Sequence, residues 1–152
     1  AIVPFHGQGM NCGFEDAVEL ADLLGTDLPA AGGDPAAVFA EFQRRRKPNS
    51  DAIAAMALDN YVEMRDRVDD PDYLLMRELE RVLAARHPQR YLPRYSLVTF
   101  TRLPYAFARE RGERQAALLR ELVRGKASLA EVDMAAADAA VEARLEPLPA
   151  RD

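Results

Sequence analysis

Residues Pro4 to Asp16, PFHGQGMNCGFED, place three glycines in seven positions directly before an amphipathic run, and this stretch is the one best suited to chemistry. Gly7 and Gly9 carry no Cβ, so the backbone there can take positive φ or let a planar ligand come close. Phe14, Ala17, Val18, Ala21 and Leu24 recur at steps of three and four, which predicts a helix that begins near Met10 to Gly13 and ends at Gly25. Its first turn carries N–H groups without helical acceptors and the positive end of the dipole, a setting for an anion or a partly anionic ring edge. The loop is not a GxGxxG fingerprint and no strand pattern precedes it, so glycine count alone reads as well for a turn before a core helix.

Three other side chains invite chemistry and on inspection get little. A histidine side chain such as His6 is the residue type that most often moves protons at neutral pH. No Ser, Cys or carboxylate is placed to form a dyad with it and a lone His makes no metal site, so His6 is expected to shape a pocket, and no catalytic residue or metal ligand is assigned. Cys12 lies at a helix start, where a thiolate is favoured, but is read as a packing residue. His87, between Arg86 and Pro88, reads as a dipole partner at a helix end.

Two polar residues further along stand out against apolar surroundings. Ile53, Met56, Ala57, Asn60, Met64 and Val68 share one helical face, on which Asn60 is the polar intruder. An amide turned into an apolar interior costs about 1–3 kcal/mol if unpaired, so Asn60 must bond to backbone, water or a ligand. Tyr95, two residues after Pro93 in an apolar segment, likewise needs one wet or hydrogen-bonded end for its phenol.

The elements that must position these groups are helices and little else, so the expected class is mainly α. Helices are predicted from Pro35 to about Arg46 after the loop PAAGGDP, from about Ser50 to Val68, and from Pro71 to before Pro88 with Leu74, Leu75, Leu79, Val82 and Leu83 inward. Tyr91 to Phe100 is rich in aromatic and β-branched residues and reads as a short strand or an extended crossing. Another helix follows Pro104 to about Arg124, stopped by Gly125, and Ser128 with Glu131 suggests a capping box for a last alanine-rich helix ended by Pro147.

The 152 residues make one ordinary domain, and a hydrophobic share of 49% is enough for a core. Cys12 is the single cysteine, which rules out an internal disulfide and suits a reducing cytoplasm. A net charge of −5 argues against nucleic acid, since a phosphate-tracking surface needs a basic excess. The local exception, Arg44 to Lys47, reads as a solvated helix C-terminus before Pro48. Opening on Ala1, Ile2 and Val3, with no basic segment and no long apolar run, the chain leads us to expect neither a signal peptide nor a transmembrane helix.

The wording of the glycine block resembles the second flavin-binding segment of the FAD-dependent aromatic hydroxylases, and with the following FED it is most similar to the kynurenine-hydroxylating members. DNYVEMR at Asp59 to Arg65 and YLPRYSLVTFTRLPY at Tyr91 to Tyr105 resemble two more segments of that family at matching spacing. The resemblance implies the C-terminal helical part of an α/β or α+β hydroxylase fold. In it 1–26 would end the FAD-binding domain, 27–105 would form a helical substrate-site region and 106–152 a C-terminal helical region. The N-terminal dinucleotide-binding unit would be a missing partner, and this piece alone would be inactive.

By the same resemblance, Pro4, Gly7, Gln8, Gly9, Met10 and Asn11 would bind FAD, with NADPH as electron donor. Phe5 and His6 would lie against the substrate ring, and Asn60 and Tyr95 would hold the amino-acid end of L-kynurenine or a similar aromatic amino acid. Some members are anchored to mitochondrial membranes by an apolar C-terminus; the ending LEPLPARD leads instead to a cytoplasmic, bacterial-type protein. A hydroxylase of another anionic ring compound and a helical interaction module without chemistry are the rival expectations.

Overall fold

The computed structural model of the protein describes residues 2–30, 34–66 and 69–149, with the backbone alone for 26–30. It is 76% helix, with no strand among the described residues, as the patterning predicts. In chain order the helices are α1 (Gly9–Ala30), α2 (Pro35–Asp66), α3 (Pro71–Arg86), α4 (Arg94–Phe100), α5 (Tyr105–Val123) and α6 (Met134–Arg144), with a 3-10 turn at Leu129–Glu131 before α6. They fall into two compact units, Ala1–Tyr61 and Val62–Asp152.

In the first unit α1 and α2 bury Cys12 and Leu23 on one helix and Val38, Ala52, Ile53, Met56 and Ala57 on the other. Charge joins them beside that core. Arg45 reaches Glu19 at 2.9 Å, and Arg46 reaches Asp16 at 2.6 Å and Glu15 at 3.0 Å. Arg45 and Arg46 therefore lace the two helices, while Arg44 and Lys47 pair within α2, and the expected helix end is corrected: α2 runs through Pro48 as one helix, where two were predicted. A proline inside a helix loses one N–H bond and costs about 3 kcal/mol. Burial of the apolar residues on both sides of Pro48 offsets this, as do the Lys47–Asp51 pair across it and the Ser50 hydroxyl donating to the Arg46 carbonyl at 3.0 Å.

α1 likewise continues past Gly25, whose φ is not in the left-handed region that a glycine cap requires. Residues 31–33 of the predicted PAAGGDP loop, and Val68, lie outside the described residues. The predicted stripe on α1 is real but faces solvent, Phe14 being 62% and Val18 61% exposed. The opposite side of the helix, with Cys12, Asp16, Glu19 and Leu23, is the one turned to α2.

The second unit is built on Leu75, Leu79 and Leu83 of α3, Leu118, Leu119 and Val123 of α5, Ala137 and Val141 of α6, and Tyr91, Val132 and Leu145 from the connections. Asp70 caps α3 by accepting from the Asp72 and Tyr73 N–H groups, with Pro71 in the first turn. Leu74, expected inward, is exposed, because the buried face follows the four-residue step from Leu75. Gly125, at φ +69°, ends α5 as predicted. The capping box is not formed: Asp133 caps α6 through the Ala136 N–H at 3.0 Å, while the Glu131 carboxylate accepts from the Ala127 N–H at 3.1 Å.

Tyr91 to Phe100 holds no strand. Pro93, at φ −51°, precedes α4, and the Leu97 N–H bonds its carbonyl at 2.9 Å. Leu97 and Val98 are buried where α4 packs on α5, and this burial outweighs the local β propensity. His87 terminates α3 as expected, and its Nε2 meets Asp138 of α6 at 2.7 Å.

Glu80 of α3 is 8% exposed and paired with Arg77. Burial pushes its carboxyl pKa up, Glu63 adds to the push, and Arg77 and Arg94 act against it. A folded-state pKa above the unfolded one, about 4.3, favours the protonated form. The contribution to stability is thus fully present below the unfolded pKa and is lost as pH rises through the raised folded value. Glu80→Gln should therefore increase stability in urea denaturation near pH 8, with the advantage shrinking as pH falls toward 5; an equal difference at both ends would contradict this.

Candidate functional site

The glycine loop and the start of α1 form a bonded unit. The Gln8 carbonyl accepts the Cys12 N–H at 3.0 Å, and its side-chain Oε1 accepts from Asn11 Nδ2 at 2.6 Å, so the buried Gln8 acts as the helix's N-cap. Gly7 has φ +73°, and a Cβ added there would meet nothing within 4 Å; backbone conformation, not space, requires glycine. Gly9 is the reverse case. Its φ is ordinary, and a Cβ would make an ordinary van der Waals contact with Ile2 Cβ at 3.8 Å, so nothing in the fold requires glycine there.

The N–H groups of Gly9, Met10 and Asn11 have no acceptor within α1. Together with the dipole they make the open face suited to a partly anionic ring edge. Met10 and Asn11 are exposed around it, Pro4 is exposed at the loop's entry, and His6 is buried behind it.

Phe5 is held twice by neighbouring residues of α2. Its carbonyl accepts from Asn60 Nδ2 at 2.6 Å, and its ring lies against Tyr61 with centroids 4.6 Å apart and planes 36° apart. Asn60 is half-buried, not in an apolar interior as expected, because the apolar face of α2 ends near Ala57 and Met64 is exposed. Of the three partners open to it in the sequence, Asn60 bonds backbone. Tyr61 is missed by sequence reasoning; its one signal is an aromatic side chain beside the suspected amide.

Cys12 is buried against Arg46, and its thiol pKa is pushed up first by burial and then by the Asp16 carboxylate, so it packs and does not ionise readily. A cavity of about 520 Å³ opens beside Arg46, Phe39 and Phe42, away from the glycines. Its cations Arg46 and Lys47 are already paired with carboxylates. Among the described residues no group of His, Cys, Asp or Glu could hold a metal ion, and no helix is long and apolar enough to cross a membrane.

Tyr95 belongs to the second unit. As the second residue of α4 it is 50% exposed, its ring edge-on to Phe100 with centroids 6.4 Å apart. Leu97 and Val98 take the buried face of this short helix. Arg94 before it pairs with Glu63 at 3.2 Å. The structure thus gathers Phe5, His6, the glycines and Asn60 in one unit and carries Tyr95 in the other.

No family model matches the chain. Curated proteins do: it is 55% identical over 148 residues to kynurenine 3-monooxygenase of Xanthomonas euvesicatoria pv. vesicatoria (strain 85-10). Identity is 53% to the enzyme of that name from Xanthomonas axonopodis pv. citri (strain 306) and 49% to that from Xanthomonas campestris pv. campestris (strain B100). Each comparison takes in 97% of this chain, which spans 31% of the length of the curated relatives, in their C-terminal part.

The two glycines separate by experiment. Gly7→Ala forces a left-handed backbone on a Cβ-bearing residue and should cost about 1–2 kcal/mol. Gly9→Ala should be neutral or stabilise by up to about 1 kcal/mol, since alanine favours the helix. Chemical denaturation of the two variants checks this, and equal losses would contradict the assignment.

Proposed function

We propose that this chain is the C-terminal part of a flavoprotein monooxygenase that hydroxylates L-kynurenine to 3-hydroxy-L-kynurenine, with FAD, NADPH and O2. The observation that carries the reading is 49–55% identity along 97% of the chain to proteins named for that activity. The glycine loop supports it: no packing demand or positive φ explains glycine at Gly9, at the helix start where N–H groups lack helical acceptors. Bound FAD, reduced by NADPH, would supply the activation of O2 and the oxygen atom placed on the aromatic ring.

The chain's own residues would bind and orient. Gly7, Gln8 and Gly9 let the flavin ring approach, Pro4 fixes the loop's entry, and the N–H groups of Met10 and Asn11 meet the ring edge where negative charge collects. Phe5, clasped by Asn60 and Tyr61, and His6 would form the wall against the substrate ring. Asn60 and Tyr95 are the residues proposed for the substrate's amino-acid end. The exposed stripe of Phe14 and Val18 on α1 would be covered by the part of the enzyme that the relatives carry beyond this third, and without that part the chain would not turn over.

Tyr95→Phe in the complete enzyme should remove one charge-assisted hydrogen bond and lower kcat/KM for kynurenine about 10- to 150-fold, with FAD content unchanged. Gly9→Val should do the opposite, lowering FAD per folded protein before it affects stability. Unchanged kynurenine kinetics with collapsed flavin binding in Tyr95→Phe would show that Tyr95 is structural. Full FAD occupancy in Gly9→Val would remove the loop from the flavin site.

A further inference from the structure

Between α3 and α4 the chain leaves the helical ladder from His87 to Pro93, and this stretch decides where α4 begins. The carbonyls of Gln89, Arg90 and Leu92 take donors from elsewhere. Gln89 O accepts from the Leu148 N–H at 2.8 Å. Arg111 Nη2 donates to Arg90 O at 2.8 Å, and Gln115 Nε2 donates to Leu92 O at 3.1 Å. Both side chains come from α5, one turn apart, and are 4% and 2% exposed. Arg111 also donates to the Glu146 carbonyl, and Arg90 Nη1 donates to Leu145 O at 2.8 Å, so the segment after α6 is drawn into the same network.

Next to Arg111 lies Gly112. A Cβ there would be 2.7, 2.8 and 2.9 Å from Cδ, Cγ and Cβ of Arg94, the first residue of α4. No positive φ is involved, so close approach alone requires glycine. Three positions of α5 therefore touch the approach to α4 and its first residue, and the next residue is Tyr95. Buried polar side chains are costly in a helix whose other inward residues are apolar, so burial alone would not select Arg111 and Gln115.

We propose that Arg111, Gly112 and Gln115 form a clamp that fixes the start of α4 and so places Tyr95 for the substrate; they are positioning residues, and the proposal rests on the reading that Tyr95 binds the amino-acid end. A clamp with only a structural task would alter stability without reference to Tyr95. The test is a double-mutant cycle in the complete, FAD-loaded enzyme with L-kynurenine, on wild type, Gly112→Ala, Tyr95→Phe and the double variant.

Gly112→Ala should raise KM about threefold or more with a smaller change in kcat, as lost ground-state binding does. In the Tyr95→Phe background the same substitution should change KM by less than about 1.5-fold, since there is no hydroxyl left to misplace. An unchanged KM in Gly112→Ala, or an equal rise in both backgrounds, would overturn the clamp's role in binding. Gln115→Met, which removes the donor to Leu92 O at similar volume, runs the same cycle with the same criteria should Gly112→Ala not fold. If Tyr95→Phe alone leaves KM unchanged, it is the reading of Tyr95 that fails, and the clamp's part in binding falls with it.

Discussion

A backbone carbonyl that leaves the helix ladder and is withdrawn from water costs about 1–3 kcal/mol unless a donor reaches it. A nearly all-helical chain meets this demand wherever it turns, the glycine loop and the approach to α4 included. The stretch before α4 is satisfied from α5 by Arg111 and Gln115, and from the far end of the chain by the Leu148 N–H. In the other unit Asn60 does the same for the carbonyl of Phe5. Apart from the Leu148 N–H, the donors are side chains on long helices, so the rigidity of the helix passes to the loop.

This division of labour explains which features were legible in the sequence. The start of α3 at Pro71 and the end of α5 at Gly125 are set by groups within a few residues, and both boundaries read correctly. Pro48 and Gly25 read as helix ends and are not, because the burial and ion pairs that carry α2 through its proline come from α1 and from turns on either side. The segment from Tyr91 to Phe100 read as extended from its β-branched and aromatic content, yet Leu97 and Val98 find their burial against α5 as a helix. Asn60 could be flagged as an amide in need of a partner; that the partner is Phe5 could not, since the two are 55 residues apart. Arg111 and Gln115, four apart on the buried face of α5, were not singled out in the sequence, since the carbonyls they serve lie more than 20 residues away.

The stripe on α1 carries a different lesson. Its periodicity was plain, and the inference that such a stripe is buried is a statement about a whole fold. In this chain the buried side of α1 is the one that carries Cys12 and Leu23, flanked by carboxylates that meet Arg45 and Arg46. Phe14 and Val18 are left outward, which fits a chain spanning 31% of the length of its curated relatives.

The proposed hydroxylation would require a flavin ring and an aromatic substrate to be brought together and held while oxygen moves. The glycine loop, the Phe5 clasp and the braced start of α4 are each suited to holding. The most direct measurement is to supply the complete enzyme with FAD, NADPH, L-kynurenine and isotopically heavy O2 and to analyse the product by mass. The account predicts kynurenine-dependent NADPH oxidation and 3-hydroxykynurenine carrying one heavy oxygen atom. NADPH oxidation indifferent to kynurenine, or consumption with no labelled product, would contradict it.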